Sequence, residues 1–272
     1  MNEYLYHYTS IETLLLILKN KTLAFNSLQN VDDLEESDSK DVRQIGKICY
    51  VSCWTDDSSE SIPMWKMYTP NMQGVRIKMK KFPFRKYKFK CGDYHFKEDA
   101  ETYIDYEKLY NEDKTTIAGE PQLFKVIYTN DEELIYPSIK TITEEIKKTN
   151  DGKIQKNTST SYSLKNIGKY KRKNWEFQNE VRYIINMSLW SMKELENCKS
   201  CSDHIKLIER LEDQKYKAPY NLFFLSLEDD ALNDIEILLG PKITEAQEEI
   251  IKLIVEKYCP SAKVLKSGLK IK

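Results

Sequence analysis

The chain has 272 residues, of which 40% are apolar, and this is enough for one sizeable domain with a buried core. Its 42 basic and 43 acidic side chains nearly cancel, and the net charge of −1 excludes a general affinity for nucleic acid or membrane surfaces. No apolar run approaches the roughly 18 residues of a membrane span, the N-terminus lacks the features of a signal peptide, and the 6 cysteines are too sparse for a disulfide framework. We therefore expect a cytoplasmic protein with reduced thiols.

The first part of the chain predicts short strands that alternate with two capped helices. Ser10 is expected to cap a buried helix over 11–19, and Ser61 is expected to cap a helix that ends near Tyr68. Residues 31–47 are acidic and then mixed, and they predict a loop with one helical turn. Strands are expected over 5–8, 22–26, 48–55 and 74–79, where β-branched, aromatic or alternating apolar residues occur.

Residues 78–90 concentrate basic side chains with aromatic residues between them, and lysines recur at 169–173. Such segments can follow a phosphate backbone and stack on bases, so they are candidate contacts with RNA or DNA. The alternative is an ordinary solvated strand whose aromatic face fills gaps, and the sequence leaves both interpretations open. The residues of the first segment are Lys78, Lys80, Lys81, Phe82, Phe84, Arg85, Lys86, Tyr87, Lys88, Phe89 and Lys90.

The second half predicts further strands and one capped helix near its end. A polar segment over 92–120 is interpreted as an insertion, a helix is expected over 131–148, and 150–160 is interpreted as a flexible loop. Thr244 is expected to cap a helix that reaches about Tyr258. Strands are expected over 123–128, 178–186, 221–227, 235–239 and 264–271. Strands early, helices between them and strands late predict an α+β fold, and no glycine-rich phosphate loop follows any of these strands.

Two separated segments contain the side chains that most favour an enzyme. His7 is one of 3 histidines and lies at the end of the first expected strand. On the late strand, Gln178, Glu180 and Arg182 would share a face, because side chains alternate with period 2. A neutral imidazole suits a vicinal diol, and a buried carboxylate can stabilise an oxocarbenium-like transition state. The alternatives are a structural histidine and a structural Glu–Arg ion pair.

Aromatic residues in two blocks are candidates for stacking on a planar ligand. Ser52 and Trp54 lie in one expected strand, and Trp65 and Tyr68 share a helix face because they are three residues apart. Ordinary core aromatics are the alternative for both blocks.

Cys198, Cys201 and His204 have the spacing of half a zinc site. No second pair of ligands follows at a suitable spacing. We therefore expect no metal.

In their order along the chain, these blocks resemble a bacterial family of formally unknown function that is frequent near phage-defence and toxin loci. The resemblance spans nearly the whole chain and implies one domain over 1–272. Two departures occur: Asp32 and Leu34 replace the usual Asn and Pro, and Gln178 replaces the first Glu of the late block. The blocks are Tyr6-His7-Tyr8-Thr9, Asp32-Asp33-Leu34-Glu35-Glu36, Ser52-Cys53-Trp54, Trp65 with Tyr68, Gly74-Val75-Arg76-Ile77, Trp175 to Arg182, and Leu239-Gly240-Pro241.

That family is in turn similar to ADP-ribosyltransferases of the His-Tyr-Glu kind, which include DNA- and RNA-modifying bacterial toxins. The resemblance implies a split β-sandwich with NAD in the cleft between two sheets. It implies that His7 and Thr9, with the backbone of Tyr8, bind the nicotinamide ribose and carboxamide, and that Tyr68 stacks on nicotinamide. The further residues that it assigns to the NAD cleft are Ser52, Trp54 and Trp65.

The same resemblance assigns the chemistry to the late strand. Glu180 would be the catalytic carboxylate, Gln178 would contact the acceptor, and Glu176 and Arg182 would organise the site. The implied function is an NAD-dependent ADP-ribosyltransferase that acts as a toxin or anti-phage effector on RNA, DNA or protein, with an antitoxin or inhibitor protein as a potential partner. The alternatives are a non-catalytic nucleotide-sensing or interaction module with a degenerate NAD cleft, an NAD glycohydrolase, and an RNA 2′-phosphotransferase.

Overall fold

The computed structural model describes residues 3–148 and 154–271. Thr22–Ser27 and Leu222–Ser226 alternate between buried and more exposed residues, whereas Cys49–Thr55 and Glu180–Asn186 are buried at nearly every residue. The described residues form 15 strands. They are β1 (Tyr4–Thr9), β2 (Thr22–Ser27), β3 (Cys49–Thr55), β4 (Val75–Lys80), β5 (Tyr87–Phe89), β6 (Ala100–Thr102), β7 (Gln122–Lys125), β8 (Ile127–Thr129), β9 (Lys140–Lys148), β10 (Ile154–Tyr162), β11 (Tyr170–Arg172), β12 (Glu180–Asn186), β13 (Leu222–Ser226), β14 (Glu236–Leu239) and β15 (Lys263–Lys266).

Polar side chains cap the main helices. The helices are α1 (Ile11–Asn20), α2 (Ile62–Tyr68), α3 (Tyr106–Glu112), α4 (Glu132–Ile135), α5 (Met192–Glu196), α6 (Cys201–Glu209) and α7 (Glu245–Tyr258). Ser10, Ser61 and Thr244 each accept the backbone N–H three residues further on, at the starts of α1, α2 and α7. The three caps expected from the sequence are therefore confirmed, and so is the α+β class.

A large mixed sheet has the strand order β13-β2-β3-β1-β4-β14-β15, and off this path β12 pairs with β3 and β7 pairs with β12. β12 pairs with the whole of β3 along one edge. The other edge of β3 is shared, because β2 pairs with Tyr50 and Val51 whereas β1 pairs at Thr55. β1 and β2 therefore diverge, and among the described residues no strand covers this edge of β3 over 52–54.

Three buried clusters fix the strands around this split. In the largest, Leu14 of α1 and Ile251 of α7 pack with side chains of the sheet. A second cluster contains Ile48 and Ile184. The third contains Trp65 of α2, which packs against β1. Apolar contacts thus support both β1 and β3, so the split is a fixed feature of the fold.

Two glycines allow backbone segments to approach closely at the start of β4. The N–H of Gly240 donates to the carbonyl oxygen of Gly74 at 2.9 Å. A Cβ at Gly74 would lie 2.2 Å from the carbonyl oxygen of Thr9, and a Cβ at Gly240 would lie 2.4 Å from that of Met72. Only glycine fits at either position, so packing explains the glycines of these two sequence blocks.

The helix predicted over 131–148 is wrong. Only α4 is helical there, and the rest forms β9, which pairs antiparallel with β10. Ile142 and Ile146 have helical spacing, and sequence periodicity cannot reveal the strand partner that decides between the two structures. β10 also occupies most of 150–160, the segment predicted as a flexible loop, and 150–153 lie outside the described residues.

The late strand begins two residues after its predicted start. Gln178 ends a 3-10 helix over 173–178, Asn179 adopts a left-handed φ of 44°, and β12 starts at Glu180. Gln178 is therefore not in alternation with Glu180 on one strand. The turn at Asn179 nevertheless leaves both side chains in the same region of the molecule.

The segment 92–120, predicted as an insertion or flexible loop, contains β6 and α3. Its Ile104 and Leu109 are buried in the largest cluster. The last strand, predicted over 264–271, ends at Lys266. Over the described part of the chain, the helices are too short or too polar to cross a bilayer.

Candidate functional site

The split between β1 and β2 contains a cavity of about 300 Å³. Its floor is β3 over 51–54, which includes the uncovered edge over 52–54, and β1, α1, β2 and α2 form its walls. Lys171, Gln178 and Glu180 contribute a polar wall. This volume lies at the lower end of the range of small-molecule sites, roughly 300–1,000 Å³.

His7 satisfies the uncovered edge of β3. Its Nδ1 lies 2.9 Å from the carbonyl oxygen of Cys53, and since a carbonyl only accepts, Nδ1 carries the proton and donates. The imidazole thus supplies the hydrogen bond that a neighbouring strand would otherwise give. Burial lowers the pKa of His7, and the bond to Cys53 only partly opposes this effect. The neutral ring, which lines the cavity, therefore keeps Nε2 as an acceptor.

Ser52, Cys53 and Trp54 form the floor next to His7. The rings of Trp54 and His7 are 4.9 Å apart, and Nε1 of Trp54 donates to Oγ of Ser52 at 3.1 Å. Trp54 therefore supports the imidazole, and Ser52 fixes the indole. Burial raises the pKa of the Cys53 thiol, and Glu180 acts in the same direction. A neutral thiol is not an effective nucleophile.

Tyr68, the last residue of α2, is fixed by a chain of hydrogen bonds. Nε2 of Gln178 donates to the Tyr68 hydroxyl at 2.6 Å, and Oε1 of Gln178 accepts from Nζ of Lys171 at 2.9 Å. Burial, together with the nearby charge of Asp32, raises the pKa of Tyr68, so the hydroxyl keeps its proton.

Glu36, Lys171, Glu180 and Arg182 form a buried network with two negative and two positive charges. Nζ of Lys171 lies 3.1 Å from Glu36 and 3.0 Å from Glu180. Nη2 of Arg182 lies 2.5 Å from Glu180, and Nη1 of Arg182 contacts Glu36. All four side chains are 5% exposed or less. The charges cancel within the network, which is the condition under which buried ions are tolerated.

Glu180 is ionised in this network. Burial alone would raise the pKa of its carboxyl group, but Arg182 and Lys171 outweigh burial and lower the pKa to about 2. Such a carboxylate is a poor proton acceptor at neutral pH. It can still stabilise a positive charge that develops in the cavity, although the two cations offset part of its field.

Some predicted site residues lie away from the cavity. Thr9 is buried beside Gly74, Trp65 is buried in the α2 cluster, where its Nε1 donates to Glu60 at 3.1 Å, and Glu176 is exposed on its 3-10 helix. Trp65 thus has the surroundings of a core aromatic residue. The predicted residues that do line the cavity are His7, Tyr8, Ser52, Trp54, Tyr68, Gln178, Glu180 and Arg182.

The sequence interpretation missed Lys171 and Glu36. Lys171 was grouped with the solvent-facing lysines of 169–173, but it is the buried middle residue of β11. Its neighbours Lys169 and Lys173 are also basic, so no charge pattern distinguishes it. Glu36 lies in an acidic segment and is equally indistinct. Only their proximity to Glu180 and Arg182 in space identifies them.

The basic segment over 78–90 does not line the cavity. Phe84 is buried against Tyr183, and Phe82 packs on Tyr103. Six of the cations lie within 4 Å of carboxylates of neighbouring elements, which favours the solvated-strand alternative. These pairs are Lys78–Glu236, Lys80–Asp234, Arg85–Asp229, Lys86–Glu101, Lys88–Glu101 and Lys90–Asp99.

No group of three or more His, Cys, Asp or Glu side chains is arranged to bind a metal ion in the described ranges 3–148 and 154–271. In the Cys198–His204 segment, Sγ of Cys198 donates to the carbonyl oxygen of Glu194, and Nδ1 of His204 donates to that of Ser200. Both side chains are thus engaged in hydrogen bonds to backbone carbonyls.

Residues 64–183 match a family described as "Protein of unknown function (DUF2971)". The match covers less than half of the chain, from α2 to β12, and includes Tyr68, Lys171, Gln178 and Glu180 but not His7. No curated protein and no solved structure matches the chain.

Proposed function

We propose that the chain is an NAD-dependent ADP-ribosyltransferase with a fold of the split β-sandwich kind. The observation that supports this most strongly is the state of His7. Its Nδ1 is bonded to the Cys53 carbonyl, and its Nε2 is left as an acceptor in a cavity that also contains Tyr68 and Glu180.

The walls of the cavity offer complementary groups to the nicotinamide riboside half of NAD. A ribose hydroxyl donates to Nε2 of His7, since the neutral imidazole has its lone pair there. The ring of Tyr68, whose hydroxyl accepts from Gln178, provides a flat surface for the nicotinamide. The split between β1 and β2 would then be the NAD cleft.

The charge of Glu180 suits the bond that must break. Cleavage between C1′ of the ribose and N1 of nicotinamide develops positive charge on the sugar, as glycoside cleavage does. A carboxylate fixed before the reaction stabilises this charge chiefly in the transition state. Arg182 and Lys171 position Glu180, because both bond to its carboxylate.

The acceptor in this proposal is RNA, DNA or protein, and the cellular role is that of a toxin or anti-phage effector, whose natural inhibitor would be an antitoxin protein. Charge reversal at Lys86 and Lys88 tests the contribution of the basic segment. Loss of RNA or DNA labelling with unchanged NAD cleavage would support a nucleic-acid acceptor. Unchanged labelling would support a solvated strand.

Transfer of label from NAD tests the activity directly. Wild-type protein is incubated with NAD labelled on the adenylate phosphate and a cell extract, which is then separated into protein, RNA and DNA. We expect label in one fraction and release of nicotinamide. For Glu180→Gln, we expect the rate of transfer to fall by about 10²–10³-fold. Asp230→Asn, at an exposed carboxylate that does not line the cavity, is the matched control. Absence of both label and nicotinamide would contradict the proposal.

The engagement of both carboxylate oxygens of Glu180 by cations favours a second candidate, a nucleotide-binding module without catalysis. Both carboxylate oxygens are bonded to cations, Oε1 to Arg182 and Oε2 to Lys171. Calorimetry and nicotinamide release distinguish the two candidates. Binding of NAD without cleavage, in the presence of every extract fraction, would support the module.

A further inference from the structure

Two carboxylates line the cavity, and their surroundings differ. Glu180 is 4% exposed and bonded to Arg182 and Lys171. Asp32 is exposed and forms no ion pair with any residue that the structure describes. Glu180 is therefore held by two cations, whereas the Asp32 carboxylate is open to a ligand in the cavity.

We propose that Asp32 is the general base that removes the proton of the acceptor nucleophile. The proposal rests on the transferase activity proposed above and adds a residue and a substrate class to it. The acceptor group would be a neutral O–H or N–H, which must lose its proton when it bonds to C1′.

The position of Asp32 fits this role. It follows β2 in the segment that passes over the cavity, next to Asn26 and Asn30, which also line it. Its solvent exposure indicates the side from which a macromolecular acceptor arrives, whereas Glu180 lies at the buried side. Tyr68, the proposed nicotinamide surface, lines the same cavity as Asp32.

The bond changes balance without another reactant. The C1′–N1 bond breaks, and N1 retains the electron pair, so nicotinamide leaves as a neutral molecule. The acceptor oxygen or nitrogen forms a bond to C1′ and gives its proton to Asp32. Glu180 remains ionised throughout and exchanges no proton. General-base assistance of this kind typically contributes about 10²–10⁴-fold.

Rescue with azide tests the proposal, because azide is an anionic nucleophile that has no proton to remove. Nicotinamide release from NAD is measured for the wild-type protein, Asp32→Asn, Glu180→Gln and Tyr68→Phe, with and without sodium azide. With water as acceptor, Asp32→Asn should lose about 100-fold or more in rate, with an NAD dissociation constant within about threefold of wild type. Azide should restore the rate and yield ADP-ribosyl azide. It should not restore Glu180→Gln, whose missing charge affects every nucleophile.

Two results would overturn the role of Asp32. A rate for Asp32→Asn within a few-fold of wild type would show that no base acts there. A loss that azide does not restore, and that Tyr68→Phe reproduces, would show that Asp32 only orients Tyr68. If the wild-type protein binds NAD but never releases nicotinamide, the transferase proposal itself fails, and that outcome is separate from both.

Discussion

Replacing Glu180 by glutamine should strongly destabilise the fold, beyond any effect on activity. The substitution keeps the volume but removes one negative charge, and the network with Glu36, Lys171 and Arg182 then has a net charge of +1 in the interior. The fall in the pKa of Glu180 from 4.5 to about 2 corresponds to about 3 kcal/mol. Breaking one buried ion pair typically costs about 3–5 kcal/mol. We therefore expect the free energy of unfolding to fall by about 3 kcal/mol.

Urea unfolding at neutral pH, followed by far-ultraviolet circular dichroism, measures this loss. The double variant Lys171→Met/Glu180→Gln is the matched control, because it removes one charge of each sign and leaves Glu36 paired with Arg182. It should recover at least half of the lost stability. A single variant within about 0.5 kcal/mol of wild type would refute the reasoning. A double variant as unstable as the single one would show that charge is not the cause.

The pH dependence of stability gives an independent measurement of the same effect. Because the pKa of Glu180 is lower in the folded state, its contribution is complete above pH 4.5 and is lost as pH falls from 4.5 towards 2. The wild-type protein should therefore lose stability more steeply than the double variant over this interval. Parallel acid profiles would indicate that Glu180 does not titrate as the structure implies.

Three further predictions concern His7 and the glycines. His7→Ala should weaken NAD binding, measured by calorimetry, by about 1–3 kcal/mol, because the ribose hydroxyl and the Cys53 carbonyl both lose their hydrogen-bond partner. Unchanged NAD affinity would mean that His7 has only a structural role. Since burial lowers the pKa of His7, NAD affinity should stay constant from neutral pH down to 6.5 and fall only below it, whereas a midpoint at 6.5 would mean an unperturbed histidine. Gly74→Ala should lower the free energy of unfolding in urea by about 1–3 kcal/mol. Gly268→Ala is the control, because its Cβ would meet nothing nearer than 3.7 Å, and it should leave the stability unchanged. Equal effects of the two substitutions would contradict the close contact at Gly74.

Local features of the fold could be predicted from the sequence, whereas the split between β1 and β2 at β3 could not. Ser10, Ser61 and Thr244 are recognisable caps because a cap depends on residues within one helical turn. The split at β3 depends on Thr55, which pairs with both Tyr6 and Glu180. Partners so distant in the chain leave no periodic signal. The error at β9 has a different origin, because its pairing with β10, and not the periodicity of its own residues, decides its structure.

Candidate site residues could be named from the sequence where the residue type is rare or the local pattern is distinctive. Histidine is rare in this chain, and a Gln-x-Glu-x-Arg pattern is conspicuous, so His7 and Glu180 could be proposed from sequence alone. Lys171 and Glu36, the other two members of the network of Glu180 and Arg182, could not, because lysine and glutamate are abundant and mostly exposed. Lys171 and Glu36 extend the Glu180–Arg182 ion pair into a buried network of four charges.

For His7, the structural and functional interpretations of the sequence are parts of one explanation. The divergence of β1 and β2 leaves the Cys53 carbonyl without a strand partner, and an unpaired buried carbonyl would be costly. His7 supplies the missing donor through Nδ1, and this bond fixes the tautomer in which Nε2 accepts. The same gap in the sheet creates the cavity that the ring faces. Under the proposed function, one histidine therefore donates to the open strand edge through Nδ1 and binds the ligand through Nε2.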